Sequence, residues 1–199
     1  MRERIAAIGT GSAQIVGIAL IIVAKFGLPL LIIRFPFAAG WANFFLDSID
    51  GDLLIPMGLP NATYQPVDKV TDWVTYVAIV VVAFRNEWPT RRLMLGLFLF
   101  RSIGQVAFLL TENELFLAAF PNFLEPLFLV TASILAWERA VRHFPDWQAR
   151  GFAFLSRHRL VIGTLIVLYK LQDEYFTHVA NVDRSDFFQQ FVQQLFGGA

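Results

Sequence analysis

The chain has no cysteine, which excludes disulfide bonds, thiolate metal sites and thiol catalysis. Charge is also scarce. Only 16% of the 199 residues are Asp, Glu, Lys or Arg, against about a quarter in soluble domains. Sixteen basic residues balance sixteen acidic ones, so no excess of positive charge is available to hold nucleic acid, and no such partner is expected. There is no P-loop, zinc-ligand run, nucleophile elbow or mid-span histidine pair of the haem type, and hence no ready-made catalytic motif. Internal repeats and low-complexity linkers are absent as well.

What remains is apolar: 56% of the residues are hydrophobic, the composition of an all-α, polytopic transmembrane helical bundle forming a single domain over 1–199. Five stretches approach the ~20 apolar residues that a bilayer-crossing helix needs, at 13–33, 67–84, 93–110, 115–137 and 160–179. The first follows Met1-Arg-Glu-Arg like a signal peptide, but its length and lack of a small-residue cleavage site predict a retained helix. The segment 35–55 is apolar only to Leu46 before it meets Asp47, Asp50 and Asp52. Such a short run predicts an external re-entrant or interfacial element over 35–66, with a sixth span as the alternative.

Arginine sets the sidedness, because Lys and Arg near span ends favour the cytoplasm. Arg85, Arg91 and Arg92 fall in 85–92, and Arg139, Arg142, Arg150, Arg157 and Arg159 in 138–159. By helix parity both segments share one face, expected to be the cytoplasmic face of the cell (inner) membrane. The acids of 47–72, the connector 111–114 and the carboxyl-terminal tail then lie outside, and Arg2 and Arg4 inside if 35–55 does not cross. Trp147, Phe152 and Phe154 among the arginines of 138–159 predict a segment lying on lipid headgroups, where His143 and His158 are expected too. The tail 185–196 carries Phe187, Phe188, Phe191, Val192, Leu195 and Phe196 at helical spacing, with Gln189, Gln190, Gln193 and Gln194 opposite. An amphipathic helix without positive charge suits a protein partner, self-association or the protein's own outer face at least as well as lipid. Asn61-Ala-Thr is a glycosylation sequon that matters only in a secretory pathway.

Asp47 and Asp50 are i, i+3 neighbours and Asp68 and Asp72 are i, i+4 neighbours, so each pair shares a helical face. If the turn at 56–60 brings the pairs together, their repulsion demands a counter-charge, and Lys69 is expected to point away from the face that Asp68 and Asp72 share. Oxygen-only ligands select magnesium or calcium, which makes Asp47, Asp50, Asp68 and Asp72 the candidate metal ligands. The alternative is a solvated acidic rim. The spacing of Asp47, Asp50, Gly51, Asp68 and Asp72 resembles the signature of the CDP-alcohol phosphatidyltransferase family, D-x2-D-G-x2-A-R-x8-G-x3-D-x3-D. Leu54 and Ile55 stand at its Ala-Arg and Tyr64 at its second Gly. The resemblance covers some two dozen residues. It implies metal ligation by Asp47, Asp50 and Asp68, with Asp72 as the catalytic base that activates an alcohol.

Charges inside the spans form a second constellation. Arg101 and Glu125 lie at mirrored depths about the connector 111–114, which predicts an interior ion pair. Lys25 and Lys170 lie near mid-span, and Lys170 can meet Asp173 and Glu174 on its own helix. Pro121, Asn122, Glu125 and Pro126 interrupt a span, as in broken helices that line transport sites. Three functions are compatible with these residues: an accessory or structural subunit of a membrane assembly, ranked first, a cation-linked transporter or channel, and a lipid-headgroup enzyme.

Overall fold

A computed structural model describes residues 11–140 and 145–178. All regular structure among them is helical: α1 (Ser12–Ile32), α2 (Pro36–Leu54), α3 (Asn61–Arg85), α4 (Arg91–Thr111), α5 (Leu115–Ala119), α6 (Leu124–Ala140) and α7 (Pro145–His178). The expected all-α class is observed. Two helices are long and apolar enough to cross a membrane, Gln14–Ile32 and Arg91–Thr111, and Leu160–Gln172 is a shorter apolar helix. The chain divides into two compact units, Met1–Ala78 and Ile79–Ala199, with the boundary inside α3.

In the first unit α1 and α2 form a hairpin. Pro36 opens α2 at its first turn, where the missing N–H costs no helical bond and the fixed φ is already helical. The 19 residues of α2 rise about 28 Å and return along α1. A Cβ on Gly17, near the start of α1, would lie only 3.3 Å from the Met57 sulfur, so the chain beyond α2 has come back almost to where α1 began. The segment 35–66, expected to form a re-entrant element, contains one continuous helix over 36–54 that runs back along α1. Asp47 and Asp50 of this helix turn toward Lys25 of α1, while Asp52 is exposed.

In the second unit α4 packs on α5 and α6, and α7 packs on α5 and α6. The break expected near Pro121 is present, since α5 ends at Ala119 and α6 begins at Leu124. Trp88, in the turn before α4, stacks on Phe128 of α6 with ring centroids 5.7 Å apart. At Gly104 the end of α5 comes close against α4. A Cβ there would lie 2.5 Å from the Phe120 Cβ and 3.0 Å from the Phe116 carbonyl oxygen, so no larger residue fits without parting the helices. The arginine-rich segment 138–159 is not a loop throughout, because α7 is helical from Pro145 onward without interruption. The tail 185–196 and His143 lie outside the described residues.

Apolar residues such as Leu54, Ile79, Val82 and Phe128 are buried, but many apolar residues are exposed and several charges are not. Ile15, Val16, Leu20, Val23 and Leu30 of α1 and Leu99, Ile103, Val106, Leu109 and Leu110 of α4 are exposed, while Lys25, Asp50, Asp68, Arg101, Gln105 and Glu125 are buried.

Candidate functional site: a lysine held by three aspartates

Lys25 is the one charge in α1. With no water to solvate it, an ammonium on an apolar helix must find acceptors on its neighbours. It finds them on two helices. Its Nζ donates to Asp68 Oδ1 at 2.6 Å, to Asp50 Oδ2, and to Asp47 Oδ1 at 3.4 Å. Lys25 is 4% exposed and Asp50 wholly buried. The i, i+3 spacing on α2 turns Asp47 and Asp50 to one side, and the first turns of α3 bring Asp68 to meet them. One carboxylate oxygen from each of Asp47, Asp50 and Asp68 lies within 4.8 Å of the others, a grouping that could hold a metal ion.

The remaining partners complete a polar interior. Tyr64 donates to Asp50 Oδ1 at 2.8 Å, and its ring lies 5.8 Å from Lys25 Nζ. Gly51 makes that possible, since a Cβ there would lie 3.1 Å from the phenol oxygen. Tyr64 precedes the apolar stretch that starts at Val67. Burial, followed by the nearby Asp68 and Asp47 carboxylates, holds its phenol well above the usual range, which keeps it a proton donor toward Asp50. Lys69 Nζ donates to Asp68 Oδ2 at 2.7 Å and lies 3.7 Å from Asp72 Oδ2, so the expectation that Lys69 points away is corrected. The flexible lysine stem lets the ammonium reach both the adjacent Asp68 and Asp72 one turn on. Asp72 joins the cluster through Lys69 and as a wall of a cavity of about 10 Å³ lined by Lys25, Asn43, Leu46, Asp47, Thr71, Asp72 and Thr75. That is room for roughly one water molecule. Asp52 is exposed.

Of the four aspartates expected to converge, three do so directly and Asp72 stands at the rim. Sequence reasoning missed what fills the centre. The sequence shows Lys25 only as a lysine within an apolar stretch, although one lysine in some twenty apolar residues already demands an acidic partner on another helix. Tyr64, Asn43, Thr71 and Thr75 carried no signal beyond their polarity.

No protein-family model, curated protein or solved structure matches the chain. The site must therefore be read from its own geometry.

The second constellation lies in the second unit. Arg101 is buried, and its Nη1 donates to the carbonyls of Leu117 at 2.9 Å and Phe120 at 2.7 Å. These carbonyls lie at the end of α5, where the helix stops supplying N–H partners, so the guanidinium caps a broken helix and meets the negative end of its dipole. Across the break Asn122 Oδ1 accepts from the Glu125 N–H at 3.2 Å, and Asn122 Nδ2 donates to Glu125 Oε2 at 3.3 Å, which caps α6. Arg101 and Glu125 are thus both buried beside the same interruption. Lys170 Nζ lies 5.9 Å from the Tyr169 ring centroid. The side chains of Asp173 and Glu174 lie outside the described residues.

Proposed function

We propose that the chain is an integral membrane protein that binds and moves a cation, with the carboxylates around Lys25 as the ion site and the Lys25 ammonium as its built-in competitor. The charge balance of the cluster carries this reading. With every carboxylate ionised, Asp47, Asp50, Asp68 and Asp72 outnumber Lys25 and Lys69 by two, beside a cavity walled by carboxylate, amide and hydroxyl groups. One divalent cation or two protons would close that difference. An all-oxygen donor set favours magnesium or calcium over zinc. An entering cation and Lys25 would compete for the same oxygens, so loading is linked to displacement of the ammonium. Exchange of that kind suits a cation-linked transporter better than the accessory subunit that composition alone favoured.

Membrane insertion is supported by the exposed apolar faces. Only 17% of the apolar window of α1 and 28% of that of α4 are buried, whereas a core helix of a soluble protein would be mostly covered. Because α2 retraces α1, we take both as crossings, followed by α3, α4, the α5–α6 pair and α7. This six-pass topology leaves the acids on the non-cytoplasmic side and moves the α1–α2 turn, with Arg34, to the cytoplasmic side with Arg85, Arg91 and Arg92. Cysteine in place of Thr63 should react with an impermeant thiol reagent in intact cells, and cysteine in place of Arg34 only after the cells are opened. Labelling of both from outside would restore the re-entrant hairpin of a five-span protein.

Flux tests the function directly. Proteoliposomes should take up magnesium or calcium faster than protein-free vesicles, and Asp47→Asn with Asp68→Asn should abolish the difference. No protein-dependent uptake under a proton gradient of either sign would return the chain to the accessory class. The convergence of Asp47, Asp50 and Asp68 also favours a second reading, the lipid-headgroup transferase that their spacing resembles, with Asp72 as base. That chemistry needs Lys25 to leave the centre and Tyr64 to clear room for a nucleotide, and turnover of a CDP-linked lipid by the purified protein would select it.

A further inference from the structure

Gln105 lies on α4 one turn after Arg101, on the face that also buries Gly104 and Phe108. It is 2% exposed, and neither its carboxamide oxygen nor its nitrogen has a protein hydrogen-bond partner among the described residues. An unbonded buried amide opposes folding at both of its polar atoms, whereas an apolar side chain of the same size would not. This face of α4 meets the broken helix: Gly104 admits Phe116 and Phe120 to close contact, and Arg101 binds the Leu117 and Phe120 carbonyls. Asn122 and Glu125 cap the far side of the break.

A carboxamide presents a donor and an acceptor side by side. A cation would satisfy only the oxygen, an anion only the nitrogen and an apolar ligand neither. Water supplies both and fits where polar groups are buried without mutual partners. We infer that Gln105 binds internal water in the second unit, beside the contact of Arg101 with the end of α5. Within a membrane, such water is where a polar side chain of this kind is tolerated. The inference stands apart from the Lys25 site and requires no cation.

The native chain lacks cysteine, so Gln105→Cys can be labelled without background. A small methanethiosulfonate reagent needs a hydrated thiolate, and in the folded, detergent-solubilised protein it should modify Gln105→Cys at least about tenfold faster than Leu117→Cys, whose site is equally buried but apolar. Equal protection of the two until denaturant is added would overturn the inference. Should Gln105→Cys fail to fold, Gln105→Met supplies the reading. A fall in Tm means that the amide has lost a bonded water, and a rise means that the amide was dry and the inference is wrong.

Discussion

Replacing Lys25 by methionine should destabilise the protein by about 3–5 kcal/mol in the presence of EDTA, the cost of breaking a buried charge network by removing one partner. Methionine keeps the volume and apolar reach of the lysine stem and removes only the ammonium. Asp50, wholly buried, then keeps the Tyr64 hydroxyl and loses its cation. Asp68 retains Lys69, and Asp47 is the most exposed of the three, so the loss should concentrate on Asp50. Adding Asp50→Asn to Lys25→Met should recover much of the stability, because two absent partners leave less uncompensated charge than one. Thermal unfolding in detergent measures both effects, and a double variant no more stable than Lys25→Met would mean that Asp50 is not the group left unpaired.

Arg101→Met should cost a comparable amount, about 3–5 kcal/mol, because two charge-assisted bonds to backbone carbonyls are lost at about 1.5–3 kcal/mol each and the end of α5 is left uncapped. Lysine at this position should recover only part of the loss, since a single ammonium does not reproduce the planar guanidinium. The same variant tests the ion pair expected between Arg101 and Glu125. A double-mutant cycle with Glu125→Gln should give a coupling of about 0.5–3 kcal/mol if they interact, whereas additive effects would confine Arg101 to capping α5. An Arg101→Met protein as stable as its parent would remove the capping role as well.

Much of this architecture was legible in the sequence. Apolar length located α1, α3, α4 and α7, and Pro121 and Pro126 located the break between α5 and α6. The length of α2 as one 19-residue helix was hidden because its apolar run ends at Leu46 and an apolar-length criterion discounts the acids that follow. Asp47 and Asp50 are met instead by Lys25, a residue twenty-odd positions away whose register against them depends on the turn at 33–35. The metal hypothesis had the same weakness. Carboxylate pairs at helical spacing correctly foretold convergence and the demand for a counter-charge, but nothing local to 47–72 indicated that part of that charge arrives on another helix. Lys69 misled for a smaller reason, since its place on the helix points outward while its four-carbon stem allows the ammonium to return.

A titration of Lys25→Met with calcium or magnesium, followed by its Tm, asks most directly whether the carboxylates around Lys25 form a cation site. If cation and ammonium compete for the same oxygens, the variant should regain most of its lost Tm as the divalent cation saturates, by mass action on the folded state, and lose it again in EDTA. The parent, with Lys25 already in place, should shift far less. A Lys25→Met protein whose Tm is unmoved by either cation and by EDTA would contradict the account, leaving Lys25 and its aspartates a structural ion pair.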